Sequence, residues 1–214
     1  MHLAFPSIYP ITDRAISGLP ILEQVRRLIA GGATLIQIRE KGADVRSFMD
    51  DAAAGVRYAR ERGVRVIVND RIDLAMVLEA DGVHLGQDDL PPAEARRLLG
   101  PDAIIGYSTH TVEQARKAME LPIDYLAFGP VFPTSTKERP DAVVGTEVLS
   151  EIAKLAGKLP LVAIGGINES NLERTLSSGA TSAAIISGLL SDPDRIEETL
   201  RRMLSRHGKL TNSV

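Results

Sequence analysis

The chain has 214 residues, 44% hydrophobic and 25% charged, which fits one large domain or two small ones and provides for a full core. Its formal net charge of -3 gives no general basis for binding nucleic acid or anionic lipid, so any cationic site must be local. With no cysteine, disulfides, thiolate metal sites and a cysteine nucleophile are excluded. The opening stretch MHLAFPSIYPITDR lacks the pattern of a signal peptide, and no apolar run reaches the roughly 18 residues of a membrane helix. The expectation is a soluble, cytoplasmic domain that binds neither membrane nor nucleic acid; the pattern leaves a homo-oligomer open.

In chain order, short β-branched runs alternate with stretches of helical period. The strand-like runs are SIYPITD, TLIQIRE, RVIVND, GVHLG, AIIGYS, YLAFGPV, LVAIGG and SAAIIS. Between them lie ILEQVRRLIAGG, VRSFMDDAAAGVRYARERG, IDLAMVLEA, PPAEARRLLG, TVEQARKAMEL, GTEVLSEIAKLAG and NESNLERTLSSG, and DPDRIEETLRRMLSRHG follows the last strand. Several helices end in glycine, and Thr111 and Asp192 stand where N-caps belong. Pro10, inside the first strand, should shorten or kink it. Strict β/α alternation means parallel strands with right-handed crossovers, and eight units favour a closed barrel over an open sheet. The prediction is an α/β fold, a single-domain (β/α)8 TIM barrel over residues 1–208, with 209–214 a disordered tail.

In such barrels the chemistry sits where strands end. Side-chain alternation points Gln37 and Arg39 into the barrel and Ile36 and Ile38 toward the helices, with Lys41 at the mouth. These cations need either an anionic ligand or an internal partner such as Glu40. Asn69 and Asp70 end strand three, and Asp88 and Asp89 follow strand four. Asp70 could cap the next helix, but carboxylates on adjacent strand ends beside cations also suit Mg²⁺. His84, at mid-strand, reads as a packed core histidine, whereas His110, after strand five, is the better acid/base candidate. Gly165 and Gly166 fall where barrels often bind phosphate, although a tight turn alone also uses such glycines. In GPVFPTSTKERP, hydroxyls and Lys137 stand between the two anion sites. The residues read as a site for two phosphorylated substrates, one carried with Mg²⁺.

The motifs YPITDR, GATLIQIREK, VNDRIDLA, DGVHLGQDDLP, IGYSTHT, GPVFPTSTK and VAIGGI, in this order over about residues 8 to 190, resemble those of the thiamine-phosphate synthases. The resemblance implies a transferase that joins 4-amino-2-methyl-5-(diphosphooxymethyl)pyrimidine to a thiazole phosphate, or to its carboxylated form with loss of CO2. It implies that Gln37, Arg39, Lys41, Asn69, Ser108 and Lys137 bind the pyrimidine diphosphate, with Arg39, Lys41, Ser108 and Lys137 the catalytic candidates. Asp70 and Asp89 would hold Mg²⁺, and Thr134, Thr136, Gly166, Ile186 and Ser187 the thiazole phosphate. Asp88 departs from the family's usual Glu and is assigned no role. Tyr107 is larger than expected before Ser108, which bears on the pocket's shape. Two alternatives are a thiazole tautomerase using His110, on the same barrel, and a phosphosugar-binding barrel without catalysis.

Overall fold

A computed structural model describes residues 5–41, 45–134, 136 and 141–207. Eight parallel strands, β1 (Ile8–Pro10), β2 (Leu35–Ile38), β3 (Arg65–Asn69), β4 (Gly82–Leu85), β5 (Ile104–Thr109), β6 (Tyr125–Phe128), β7 (Leu161–Ile164) and β8 (Ser182–Ile185), pair in sequence order, and β8 pairs with β1. Beyond β1, a bridge between Ile11 and Gln37 and the Thr12 N–H to Gln37 C=O bond (2.9 Å) close the ring against β2. The barrel is complete, as eight β/α units require.

Alternation along the strands divides the apolar residues between two cores. Ile8, Ile36, Ile38, Val66, Val68, Val83 and Leu85 face outward, against the helices. Tyr9, Leu35, Ile67, Ile104, Tyr125 and Val162 fill the lumen. Glycine makes room there: a Cβ on Gly106 would lie 2.0 Å from the Tyr125 ring, so only a residue without one lets that phenol cross the barrel. The major helices are α2 (Ile21–Ala30), α3 (Val45–Arg60), α5 (Pro92–Leu99), α6 (Val112–Ala118), α7 (Gly145–Ala156) and α10 (Ile196–His207). In α2, Ile21, Val25 and Leu28 recur at helical spacing and are buried.

Three details refine the sequence reading. β1 is short and ends at Pro10, although the Ile11 N–H still bonds the Ile185 carbonyl at 3.0 Å. Thr111 caps α6 by accepting from the Gln114 N–H (3.1 Å), but Asp192 makes no side-chain cap and precedes a 3-10 turn, Pro193–Arg195. Two one-turn helices, α1 (Arg14–Ser17) and α9 (Ser187–Leu190), were not predicted, being too short to show a period. The remaining short helices, α4 (Ile72–Val77) and α8 (Leu172–Ser177), fall where expected. The proposed tail at 209–214 lies outside the described residues. Among those described, no helix is long and apolar enough to cross a membrane.

Candidate active site

The C-terminal ends of the strands open into a recess of about 470 Å³. Gln37 and Arg39 enter it from β2 and are buried, as their parity predicts. Lys41 reaches the rim and is exposed. The internal partner that sequence reasoning left open does exist. Arg39 is ion-paired with Asp13, which also caps α1 by accepting from the Ile16 N–H. Lys41 Nζ stands 3.7 Å from Asp70 Oδ2. Glu40 turns away to Arg14, at 3.8 Å. The cations are therefore held in pairs, not left waiting for an anion, and Asp13 joins the site.

Asp70 does not cap α4. That cap position is Arg71, without a side-chain cap bond. Asp70 instead sits in the left-handed region at φ 61, which Asp tolerates better than most residues, and its N–H bonds the His84 carbonyl across β4 at 2.8 Å. On the next loop, Asp89 Oδ2 accepts from the Gly86 N–H at 2.7 Å. Burial, and then the Asp89 charge, push the Asp70 carboxyl up to about 6, against the pull of Lys41. Among the described residues no group of three or more His, Asp or Glu side chains is placed to hold a metal; these two carboxylates alone could serve a hard divalent cation only if water or phosphate oxygens completed its shell. Asn69 and Asp88 line the same recess.

His84 is the packed histidine expected, stacked on Tyr125 with ring centroids 5.5 Å apart. It also lines the recess: Nδ1 meets the Tyr125 hydroxyl at 2.9 Å, and Nε2 meets Ser108 Oγ at 2.8 Å. His110 Nδ1 bonds the Gly129 carbonyl at 2.7 Å and lies 3.5 Å from Asp141. Tyr107 is corrected. It packs outward on the helix-side core and does not line the recess, so its size leaves the pocket unchanged.

Beyond β6, the Val131 and Phe132 N–H groups extend the ladder onto Ile164 and Gly165. Val144 N–H returns to the Pro130 carbonyl at 2.9 Å, and Arg174 of α8 lies over the Phe132 ring. This pinned base carries Thr134 and Thr136 into the recess, with their hydroxyls 3.3 Å apart. Lys137 lies outside the described residues. Against this loop, Gly165 (φ 100) and Gly166 (φ 64) turn the chain away from β7. A Cβ on Gly166 would come 2.4 Å from the Pro133 carbonyl oxygen, so this glycine is required by packing and backbone before any ligand is considered. Ile186 and Ser187, at the start of α9, complete that wall. Sequence reasoning missed Tyr9, Tyr125 and Asp13. The two tyrosines were detectable in principle, since inward-facing phenols need partners.

This is the layout of a (β/α)8-barrel enzyme for small molecules, with charge on the β2–β4 side of the mouth and a glycine turn after β7. Comparison with known proteins narrows the class. The family model described as "Thiamine monophosphate synthase" matches residues 8–189. A thiamine-phosphate synthase of Persephonella marina is 46% identical over 199 residues, covering 92% of this chain and 93% of its own. That of Syntrophomonas wolfei is 44% identical, covering 92% and 94%. A solved thiamine phosphate pyrophosphorylase from Pyrococcus furiosus superposes with a TM-score of 0.84 at 35% identity, covering 97% of each chain. The chain belongs to the thiamine monophosphate synthase family.

Proposed function

We propose that the recess joins 4-amino-2-methyl-5-(diphosphooxymethyl)pyrimidine to a thiazole phosphate, with the diphosphate on the β2–β4 side and the thiazole phosphate on the β7–β8 side. The observation that carries this reading is the asymmetry of the mouth. Asp70 and Asp89 face one another beside Lys41 and Arg39, while Gly165, Gly166 and Ser187 stand across the opening. The carbon–oxygen bond to the diphosphate breaks with both electrons leaving on oxygen. The pyrimidinylmethyl cation is stabilised by the ring amino group, and the thiazole nitrogen lone pair then forms the new carbon–nitrogen bond. With the carboxylated thiazole, CO2 leaves as well. No strong base is needed; the work is charge stabilisation and positioning.

Asp70 and Asp89 would hold Mg²⁺, which when bound supplies positive charge to the departing diphosphate. Arg39, Lys41 and Lys137, the last assigned from the sequence, add fixed charge. Gln37, Asn69 and Ser108 orient the pyrimidine substrate. Thr134, Thr136, Gly166, Ile186 and Ser187 hold the thiazole phosphate. A tautomerase would leave the carboxylate pair without a task. The test is a product assay with the purified chain and both substrates. Thiamine phosphate and diphosphate should form in equal amounts with Mg²⁺ and cease with a chelator. A folded protein that forms no product sinks the reading, and full activity in chelator sinks the metal assignment.

A further inference from the structure

A file of hydrogen bonds crosses the lumen beneath the recess. Gln37 Nε2 donates to the Tyr9 hydroxyl at 3.2 Å. The Tyr9 and Tyr125 hydroxyls lie 3.2 Å apart, and the file continues through His84 to Ser108. Tyr9 and Tyr125 are almost completely buried. We propose that Tyr9, Tyr125 and His84 are positioning residues, forming a one-way hydrogen-bond chain that presents the Ser108 hydroxyl to the recess as a donor. This inference rests on the reading of Ser108 as a contact of the diphosphate substrate.

The direction follows from counting protons. Each phenol has one to give, and burial raises both phenols above their ordinary range, so both keep it. Tyr9 accepts from the Gln37 amide nitrogen, which also bears on the Tyr125 hydroxyl, and with that nitrogen turned to it Tyr9 gives its own proton to the Tyr125 oxygen. Tyr125, having accepted, gives its proton to His84 Nδ1. With Nδ1 taken as an acceptor, the ring N–H lies on Nε2 and donates to Ser108 Oγ. The serine's proton is then left for the recess. The opposite direction would need the Gln37 amide turned so that its oxygen takes the Tyr9 proton; with Nε2 facing Tyr9, as here, the amide offers that proton no acceptor. That direction would also turn a serine lone pair toward the ligand, and an ionised diphosphate has only acceptors to offer. Gly106 leaves the space the file needs, since a Cβ there would lie 2.3 Å from the Tyr125 hydroxyl oxygen.

Two measurements test this, one of them without turnover. Long-range proton–nitrogen NMR on protein labelled at histidine, with His84 assigned by His84→Asn, should show Nε2 protonated and Nδ1 bare at neutral pH. A proton on Nδ1 overturns the proposal. Tyr125→Phe keeps the ring stacked on His84 but removes the hydroxyl. It should let both tautomers appear and lower kcat/KM for the pyrimidine diphosphate about tenfold, the scale of one hydrogen bond, while KM for thiazole phosphate holds. In a Ser108→Ala background the same change should cost less than about twofold, because its effect passes through Ser108. Losses that add fully overturn the proposal. If Tyr125→Phe does not fold, Tyr9→Phe replaces it, with a smaller loss expected in the same direction and the same cycle. An inactive wild type would sink the functional reading and leave the tautomer to be read on its own.

Discussion

On the β2–β4 side, the mouth is made of full charges already in contact: Arg39 with Asp13, Lys41 with Asp70, and Asp70 against Asp89. On the β7–β8 side, the described lining has no full charge, only two glycines at positive φ, apolar side chains and Ser187. An anion reaching the first side must rearrange existing pairs, and it gains most when a cation first cancels the carboxylates. An anion reaching the second side meets backbone already shaped by packing, since Gly166 is fixed by its contact with Pro133. One wall is suited to a changing charge, the other to a constant one. That division matches a reaction in which diphosphate leaves while the second phosphate stays put.

The comparison breaks most sharply at the carboxylates. Asp89→Asn should lower kcat/KM about a thousandfold or more and raise the Mg²⁺ needed for half-maximal rate; a near-normal rate at unchanged Mg²⁺ would remove the metal from this wall. Lys137→Ala should lower kcat about a hundredfold with a smaller change in KM, because its charge matters most as the bond to diphosphate breaks. A KM effect alone would reduce Lys137 to a binding residue. Ser187→Ala, on the neutral wall, should raise KM for thiazole phosphate about tenfold and leave KM for the pyrimidine diphosphate unchanged. Equal effects on both substrates would merge the two walls into one site.

The smallest effect expected is on stability. Asp70 is raised from 3.8 to about 6 in the fold, by burial and then by Asp89. A carboxyl raised on folding binds its proton more tightly in the native state, so its contribution is complete below the unfolded value and is lost as pH climbs from about 4 to about 6. Asp70→Asn removes that loss. Without metal, the variant should melt a few degrees above the wild type at pH 7 and alongside it near pH 4. Equal melting at pH 7 would mean the carboxylate is not strained in the apo protein.

Much of this was legible in the sequence because strand parity is local. Gln37 and Arg39 inside, and Ile36 and Ile38 outside, follow from alternation in a four-residue strand. The same rule, applied from Ser108, turns Tyr107 outward, so its bulk never bore on the pocket. The pairing of Arg39 with Asp13 was not legible. It depends on the seam where β1 meets β2, and nothing in either segment announces that contact across 26 positions. The phenols of Tyr9 and Tyr125, 116 residues apart, meet for the same reason. Barrel closure makes neighbours that no window of sequence contains. Gly166 was legible as a special position but not in its cause, since both a ligand and the Pro133 carbonyl call for the missing Cβ.

That seam has a mechanical consequence. Most neighbouring strands share a ladder of three or four residue pairs, whereas β1 and β2 are joined past Pro10 by one bridge, bonds between Thr12 and the Arg39 backbone and the Arg39–Asp13 ion pair. A cylinder opens first along its thinnest join. Here the join runs directly under Arg39, so the guanidinium we assign to the diphosphate is also a rivet of the barrel wall. Amide exchange at Thr12 should therefore slow if the filled site tightens the wall, and quicken if an anion draws Arg39 off Asp13. Hydrogen exchange at one backbone position would show which of its two attachments Arg39 keeps during turnover.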